Sequence, residues 1–105
     1  MSYTENYKGI KVDIQAVDIT IKESVIEVIH ESLDKLLRFT PEINFADIYL
    51  KHEDNHKNEN KYVRFRVAIP GPDVFAEASA DHWEPAIREA TQKLKRQLEK
   101  AKESA

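Results

Sequence analysis

The hydrophobic residues of this chain repeat with two different periods, and the order of these periods limits the fold more than any other feature. Residues 10–17 read IKVDIQAV, in which apolar and polar side chains alternate. Residues 20–39 instead repeat their apolar positions every three or four residues. Alternation is typical of a half-buried strand, and the longer period is typical of an amphipathic helix. The chain is therefore predicted to begin with a strand followed by a helix.

Three more alternating segments and a second helical segment come next. NFADIYLKH at 44–52 and KYVRFRVAI at 61–69 alternate, and VFAEAS at 74–79 resumes the pattern after the turn sequence PGPD. Residues 81–103 have helical spacing, with Pro85 in the first turn, where its missing N–H costs least. The predicted order is β-α-β-β-β-α. Four strands then form one sheet with both helices packed on one face, which is an α+β fold.

Both predicted helices carry residues suited to their ends. Thr20 with Glu23, and Asp81 with Glu84, have the three-residue spacing of a capping box. Pro41 disfavours a helical conformation in the residue before it and so ends the first helix. The capping spacing predicts that the helices begin near residues 20 and 81.

The length and composition predict one domain. A chain of 105 residues with 41% hydrophobic residues can bury one core, so 1–105 is predicted to be a single domain with flexible residues at 1–8 and 103–105. There is no cysteine, which excludes a disulfide framework and a thiolate metal site. No apolar run approaches the length of a membrane span, and no signal peptide is recognisable. We therefore expect a cytoplasmic protein without a membrane partner.

Residues 52–56, HEDNH, fit the zinc-protease pattern His-Glu-x-x-His letter for letter. That chemistry needs a helix, because only helical spacing puts both histidines on one face beside the metal. Here the motif lies between two alternating strands, in a polar stretch with the composition of a solvated hairpin loop. We predict a chance match, with no metal site and no cofactor.

Other catalytic patterns are missing as well. Gly9 and Gly71 are the only glycines, so there is no glycine-rich phosphate loop. No Ser-His-Asp arrangement is supported by spacing, and the carboxylates are scattered over predicted helix exteriors. The sequence predicts neither an enzyme nor a small-molecule substrate.

The last helix is basic although the whole chain has a net charge of −3. Residues 86–102 hold six basic residues and two acidic ones. On a helical wheel of about 100° per residue, four polar residues share one sector beside the apolar stripe: Lys93, Arg96, Gln97 and Lys100. Lys35 and Arg38 of the first helix are placed to form the opposite wall of a basic groove, which would suit a phosphate backbone. The alternative is a solvated helix whose cations favour its C-terminal dipole.

A second candidate surface is the open face of the sheet, where aromatic and basic residues alternate: Tyr49, Lys51, Tyr62, Arg64, Arg66 and Phe75. Aromatic rings interleaved with arginine can stack on bases. The alternative is ordinary cross-strand packing on an exposed sheet. Trp83 is different: it precedes Ile87 by one turn and is predicted to pack against the core rather than on RNA.

Three stretches of the chain resemble one protein family. The most specific is KLKRQLEK at 93–100, followed by DKLLRF at 34–39 and IPGPDVFAEAS at 69–79. They resemble the ribosome hibernation promoting factor and ribosome-associated inhibitor family, also called sigma-54 modulation protein or S30AE. The resemblance covers nearly all of 10–102 and is closest to the short members. It implies the β-α-β-β-β-α order and a fold similar to a double-stranded-RNA-binding domain.

The resemblance implies a ribosome hibernation factor, not an enzyme. Family members bind the 30S ribosomal subunit and its 16S rRNA near the channel for mRNA and tRNA, and they inhibit translation in resting or stressed cells. The residues implied to bind rRNA are Lys35, Arg38, Lys93, Arg96, Gln97 and Lys100. Glu31, Ser32 and Ala101 stand where relatives often carry basic residues, which makes the charge thinner here. The alternative is a protein-interaction module that keeps the fold without ribosome binding.

Overall fold

In the computed structural model, which describes residues 1–103, two helices cover one face of a five-stranded sheet. The elements are β1 (Ser2–Tyr7), β2 (Ile10–Val17), α1 (Glu23–Leu37), β3 (Phe45–His52), β4 (Lys61–Ala68), β5 (Val74–Ala80) and α2 (Trp83–Glu103). The strands lie side by side in chain order, and all neighbours are antiparallel except β2 and β3, which α1 connects in parallel. Of the predicted flexible end at 103–105, residues 104 and 105 lie outside the described residues.

The core lies between the sheet and the two helices. Along β2 every second residue is buried, as the alternation predicted. Leu33 of α1, Phe65 of β4 and Leu94 of α2 have no exposed surface. Burying one such side chain is worth about 1.5–3 kcal/mol, so this layer supplies most of the driving force for folding. The predicted α+β architecture is confirmed.

The predicted number of four strands is wrong, because part of the segment predicted to be flexible at 1–8 forms β1. β1 pairs with β2 from its first residue, and Tyr7 lies opposite Ile10. Lys8 and Gly9 make the connection, and both have positive φ angles, 52° and 85°. Two such residues form the two-residue hairpin turn whose twist matches that of the flanking strands.

β1 was missed because polar side chains hold it against α1. The Tyr7 hydroxyl donates to the Asp34 carboxylate, whose oxygens lie 2.9 and 3.0 Å away, and Lys8 Nζ lies 2.8 Å from the same group. His30 Nε2 lies 2.6 Å from Glu5 Oε1, and the His30 ring stacks on Tyr7 at 4.0 Å. The inward face of β1 therefore lacks the aliphatic residues by which a strand is recognised.

The capping prediction for α1 is wrong. The helix begins at Glu23 after the N-cap residue Lys22, which has an extended backbone and makes no side-chain capping bond. Ile19 and Ile21 are half-buried and pack against the core. Their alternate burial explains why the chain stays extended beyond Thr20 before the helix starts.

Asp81 also has a different role from the predicted cap. Its Oδ1 accepts a hydrogen bond of 2.7 Å from the backbone N–H of Glu59, so it fastens the β3–β4 loop to the start of α2. The predicted packing of Trp83 against the core is confirmed, and the absence of stacking on RNA stays a prediction. Lys61 Nζ lies 5.9 Å from the centre of the Trp83 ring, a cation–π distance.

The HEDNH segment is not helical. β3 ends at His52, and residues 53–60 form the loop before β4, as predicted. The His52 ring makes a local hydrogen bond of 2.8 Å to Asp54. Within residues 1–103, no group of three or more histidine, aspartate or glutamate side chains is arranged to hold a metal ion.

The contact between Asp34 and β1 predicts a dependence of stability on acid pH. The hydrogen bond from Lys8 lowers the pKa of Asp34 below its ordinary value of 3.8. The contribution of the carboxylate to stability is therefore present above that ordinary value and is lost as the pH falls through the lower pKa of the folded state. We expect Asp34→Asn to lower the free energy of unfolding by about 1 kcal/mol near neutral pH, since the ion pair is solvent-screened.

Urea unfolding of wild type and Asp34→Asn at neutral pH and near pH 2 measures this effect. The difference between the two proteins should shrink as the pH falls, because protonation removes the negative charge that Asp34→Asn also lacks. Glu42→Gln is the matched control, because Glu42 is exposed and not within β1 or α1. An equal difference at both pH values would show that the charge of Asp34 contributes nothing.

Candidate nucleic-acid interface

The helix residues predicted to bind phosphate lie at the C-terminal end of α1 and between the middle of α2 and its last turn. The two helices run side by side in the same direction. Near their beginnings Ser24 Oγ lies 3.3 Å from Glu84 Oε1, and near the end of α1 Lys95 Nζ lies 4.9 Å from the centre of the Phe39 ring. The basic ends of both helices are therefore neighbours on the side of the molecule opposite the open sheet face.

A groove does run between the helices, but its lining differs from the prediction. It is lined by Glu31, Ser32, Lys35, Arg88, Thr91 and Gln92. Of the predicted basic residues, only Lys35 is among them. The expectation that the basic sector of α2 faces Lys35 and Arg38 across this groove is therefore wrong.

The floor of the groove is a pair of buried hydroxyl groups. Thr91 Oγ1 lies 2.7 Å from the Ile87 carbonyl oxygen and 2.9 Å from Ser32 Oγ. Thr91 has a single hydroxyl proton, and a carbonyl can only accept, so Thr91 donates to Ile87 and Ser32 donates to Thr91. Ser32 and Thr91 are the buried polar residues at the centre of the α1–α2 contact.

The basic sector of α2 lies on the opposite flank of the helix, toward the edge of the sheet. Lys93 Nζ donates to the carbonyl oxygen of Glu77 at 2.8 Å, and Gln97 Nε2 donates to that of Phe75 at 2.7 Å. Both acceptors belong to β5, the last strand of the sheet. The helical wheel identified the sector correctly but could not tell which flank of the helix would face α1.

Of the cations predicted on the two helices, three have exposed side chains with no ion-pair or hydrogen-bond partner among residues 1–103: Lys35, Arg38 and Arg96. On the sheet face Lys51 and Arg64 are also exposed without such a partner, although Arg64 lies over the Phe75 ring. Two other cations of α2 have carboxylate partners instead. Arg88 lies 3.9 Å from Glu31 across the groove, and Lys95 lies 3.9 Å from Glu99 one turn on. The three unpartnered cations have the greatest capacity to engage a new anion, because no carboxylate must be displaced.

Arg66 on the open sheet face is already neutralised. Its guanidinium donates to Asp47 on the neighbouring strand, and it also lies 3.8 Å from Asp73. The hydrogen bond to Asp47 raises the pKa of Arg66 further above its ordinary value. The guanidinium carbon lies 5.3 Å from the centre of the Phe45 ring. A phosphate at this position would compete with two carboxylates.

Arg64, Phe75, Tyr49 and Tyr62 of this second surface are packed in pairs, whereas Lys51 is exposed. Arg64 lies over the Phe75 ring at 5.0 Å and opposite Glu77 in the β4–β5 register. Tyr49 and Tyr62 meet edge to face at 6.3 Å. Burial, and then the charge of Glu77, raise the pKa of Tyr62. This arrangement is the cross-strand packing given above as the alternative, and base stacking on this face stays a prediction.

Sequence reasoning missed the groove residues Arg88, Thr91 and Gln92. A signal for them was present, because Arg88, Thr91 and Lys95 recur at helical spacing on one flank of α2. It was overlooked because Thr91 is polar and the highest density of charge lies on the other flank.

A family model described as Sigma 54 modulation protein / S30EA ribosomal protein matches residues 12–105. The chain belongs to this family. The S30EA family consists of ribosome-associated factors rather than enzymes. A ribosome hibernation promoting factor from Acinetobacter guillouiae is 28% identical to the chain over 96 residues, which cover 86% of this chain and 85% of that protein.

Two solved structures have the same fold. A ribosomal subunit interface protein from Coxiella burnetii superposes with a TM-score of 0.75 at 23% identity, covering 87% of this chain and 96% of that one. The N-terminal domain of Protein Y from Thermus thermophilus gives a TM-score of 0.72 at 19% identity, covering 88% and 97%. Within residues 1–103, no helix is long and apolar enough to cross a membrane.

The hydroxyl pair beneath the groove should couple the two helices. Replacing Thr91 with valine keeps its shape but leaves the buried Ser32 hydroxyl without its acceptor. We expect Thr91→Val to lower the free energy of unfolding by about 1–2 kcal/mol, the cost of an unsatisfied buried donor. The double variant Ser32→Ala/Thr91→Val should lose less than the sum of the two single changes. Urea unfolding of all four proteins measures the coupling, and simple additivity would contradict it.

Proposed function

We propose that the chain is a ribosome hibernation factor that binds the 30S ribosomal subunit, contacts 16S rRNA near the decoding channel and inhibits translation in resting or stressed cells. Membership of the S30EA family supports this, as do relatives named for ribosome hibernation and for the subunit interface. A function on the ribosome would place the chain in the cytoplasm. The similarity to a double-stranded-RNA-binding fold stays part of this proposal.

The proposal rests on exposed cations toward the C-terminal ends of the helices that form no ion pair or side-chain hydrogen bond within residues 1–103. Lys35, Arg38 and Arg96 bring their full charge to a phosphate backbone, and each contact releases condensed counterions from the RNA. Arginine can also engage a phosphate through two parallel N–H donors. Lys93 and Lys100 add charge to the flank of α2. Inhibition then needs only occupancy of the channel and no chemical step.

For binding a phosphate backbone, the charge near the helix ends matters more than the net charge of −3 of the whole chain. At physiological salt a charge acts over about 8 Å, so acidic residues on distant surfaces are largely screened from a bound phosphate. Glu31 is the acidic residue in the groove, and Arg88 lies across from it at 3.9 Å. The acidic first helix is therefore compatible with binding at the neighbouring helix ends.

Removing the three unpartnered cations together should weaken binding through charge alone. We expect Lys35→Gln/Arg38→Gln/Arg96→Gln to reduce the slope of log affinity against log salt by about two to three units, because each phosphate contact contributes about 0.7–0.9. Co-sedimentation with 30S subunits over a series of salt concentrations measures the slope. The thermal transition should hardly change, since these exposed side chains form no ion pair or hydrogen bond within residues 1–103.

The control is Arg64→Gln/Arg66→Gln on the open sheet face, which removes two positive charges that are already near carboxylates. It should change the slope by less than one unit. If this control abolishes binding and the helix variant does not, the RNA-binding surface is the sheet. If wild type does not sediment with 30S at any salt concentration, the chain is instead the protein-interaction module with this fold.

A further inference from the structure

The outer edge of β5 is covered by two side chains of α2. An edge strand normally exposes unpaired N–H and C=O groups, which attract other strands. Here the outward carbonyl groups of Phe75 and Glu77 each accept a hydrogen bond, from Gln97 and Lys93 respectively. We call Lys93 and Gln97 the β5-edge pair. The pair donates hydrogen bonds to backbone carbonyl groups that have no partner strand.

The match depends on two spacings that are nearly equal. Residues four apart on a helix are about 6 Å apart along its axis. Residues two apart on a strand are about 6.6 Å apart, and their outward groups point the same way. Because α2 returns antiparallel to β5, Lys93 reaches Glu77 and Gln97 reaches Phe75. The register of the β5-edge pair thus follows from the geometry of the two elements.

The same register shows why the contact stops at two residues. One further helical turn in either direction brings Glu89 toward Ser79 and Ala101 toward Asp73. A glutamate carboxylate and a methyl group have no proton to donate to a carbonyl. At the positions of this register Lys93 and Gln97 are therefore the residues that can donate to the edge carbonyl groups.

We propose that Gln97 is a positioning residue, which holds the basic part of α2 against β5, and not a contact to RNA. Its side chain is half-buried, carries no charge and commits an amide N–H to Phe75. Arg96, the residue before Gln97, is exposed, and its side chain has no ion-pair or hydrogen-bond partner among residues 1–103. Lys93 serves both purposes, because its ammonium group has three N–H donors and one is directed at Glu77.

Hydrogen exchange at β5 tests the positioning role. Ala76 and Ala78 alternate with the edge-facing residues, so their N–H groups point at β4 and report on opening of the edge. We expect Gln97→Met, which keeps the length but removes the donor, to speed exchange at these amides about two- to tenfold, as the loss of one hydrogen bond would. Gln97→Lys restores a donor and should restore protection. Unchanged exchange in Gln97→Met overturns the proposal.

The second part of the experiment rests on the proposed function and compares neighbouring residues on the 30S subunit. Gln97→Met should bind about two- to tenfold more weakly with the same salt slope, because no phosphate contact is lost. Arg96→Gln should lower the slope by about one unit and leave exchange at β5 unchanged. A lower slope for Gln97→Met, or unchanged affinity despite faster exchange, overturns the positioning role.

The two parts can fail separately. If wild type does not bind 30S subunits, the proposed function fails, whereas the exchange comparison still decides whether Gln97 holds α2 to β5. If binding is normal and exchange in Gln97→Met equals that of wild type, only the role of Gln97 is overturned.

Discussion

The apolar layer between the sheet and the helices is the constraint on which the rest of the structure depends. Leu33, Phe65 and Leu94 are fully buried in it, so the rotation of each helix about its axis is fixed. At about 100° per residue, placing Leu94 toward the sheet determines the direction of every other side chain of α2. Thr91 must lie on one flank, Gln97 on the other, and Arg96 must face solvent.

The sheet order then decides what each flank of α2 meets. α1 contacts β1 through Asp34 and His30, and α2 returns over β4 and β5 at the far edge of the sheet. One flank of α2 therefore contacts α1 through Thr91, and the other contacts β5 through Gln97. Helical spacing in the sequence cannot reveal which element each flank of α2 contacts, because that depends on the order in which the strands pair. The basic sector of α2 was predicted correctly, but it lies beside β5 and not beside α1, as had been predicted.

The other differences from prediction also arise where tertiary contacts override a local pattern. Hydrophobic alternation revealed the four strands with aliphatic inward faces, but β1 presents Glu5 and Tyr7 inward and is held by His30 and Asp34 of α1. Capping residues suggested a helix start at Thr20, whereas burial of neighbouring isoleucines keeps that segment extended. Helical spacing alone indicated the candidate basic residues, and the family resemblance added the ribosome as the expected partner, which no period or spacing could supply.

The two candidate surfaces each carry an arginine, and the two arginines differ in their partners. Arg66 on the sheet and Arg96 on α2 are chemically the same, yet Arg66 is bonded to Asp47 whereas Arg96 is surrounded by solvent. A phosphate at Arg66 must displace a carboxylate and gains only the difference between two similar ion pairs. At Arg96 it displaces water and a weakly held counterion, whose release is favourable. Of these two arginines, Arg96 is therefore the more favourable position for a phosphate, although the sheet face carries more aromatic residues.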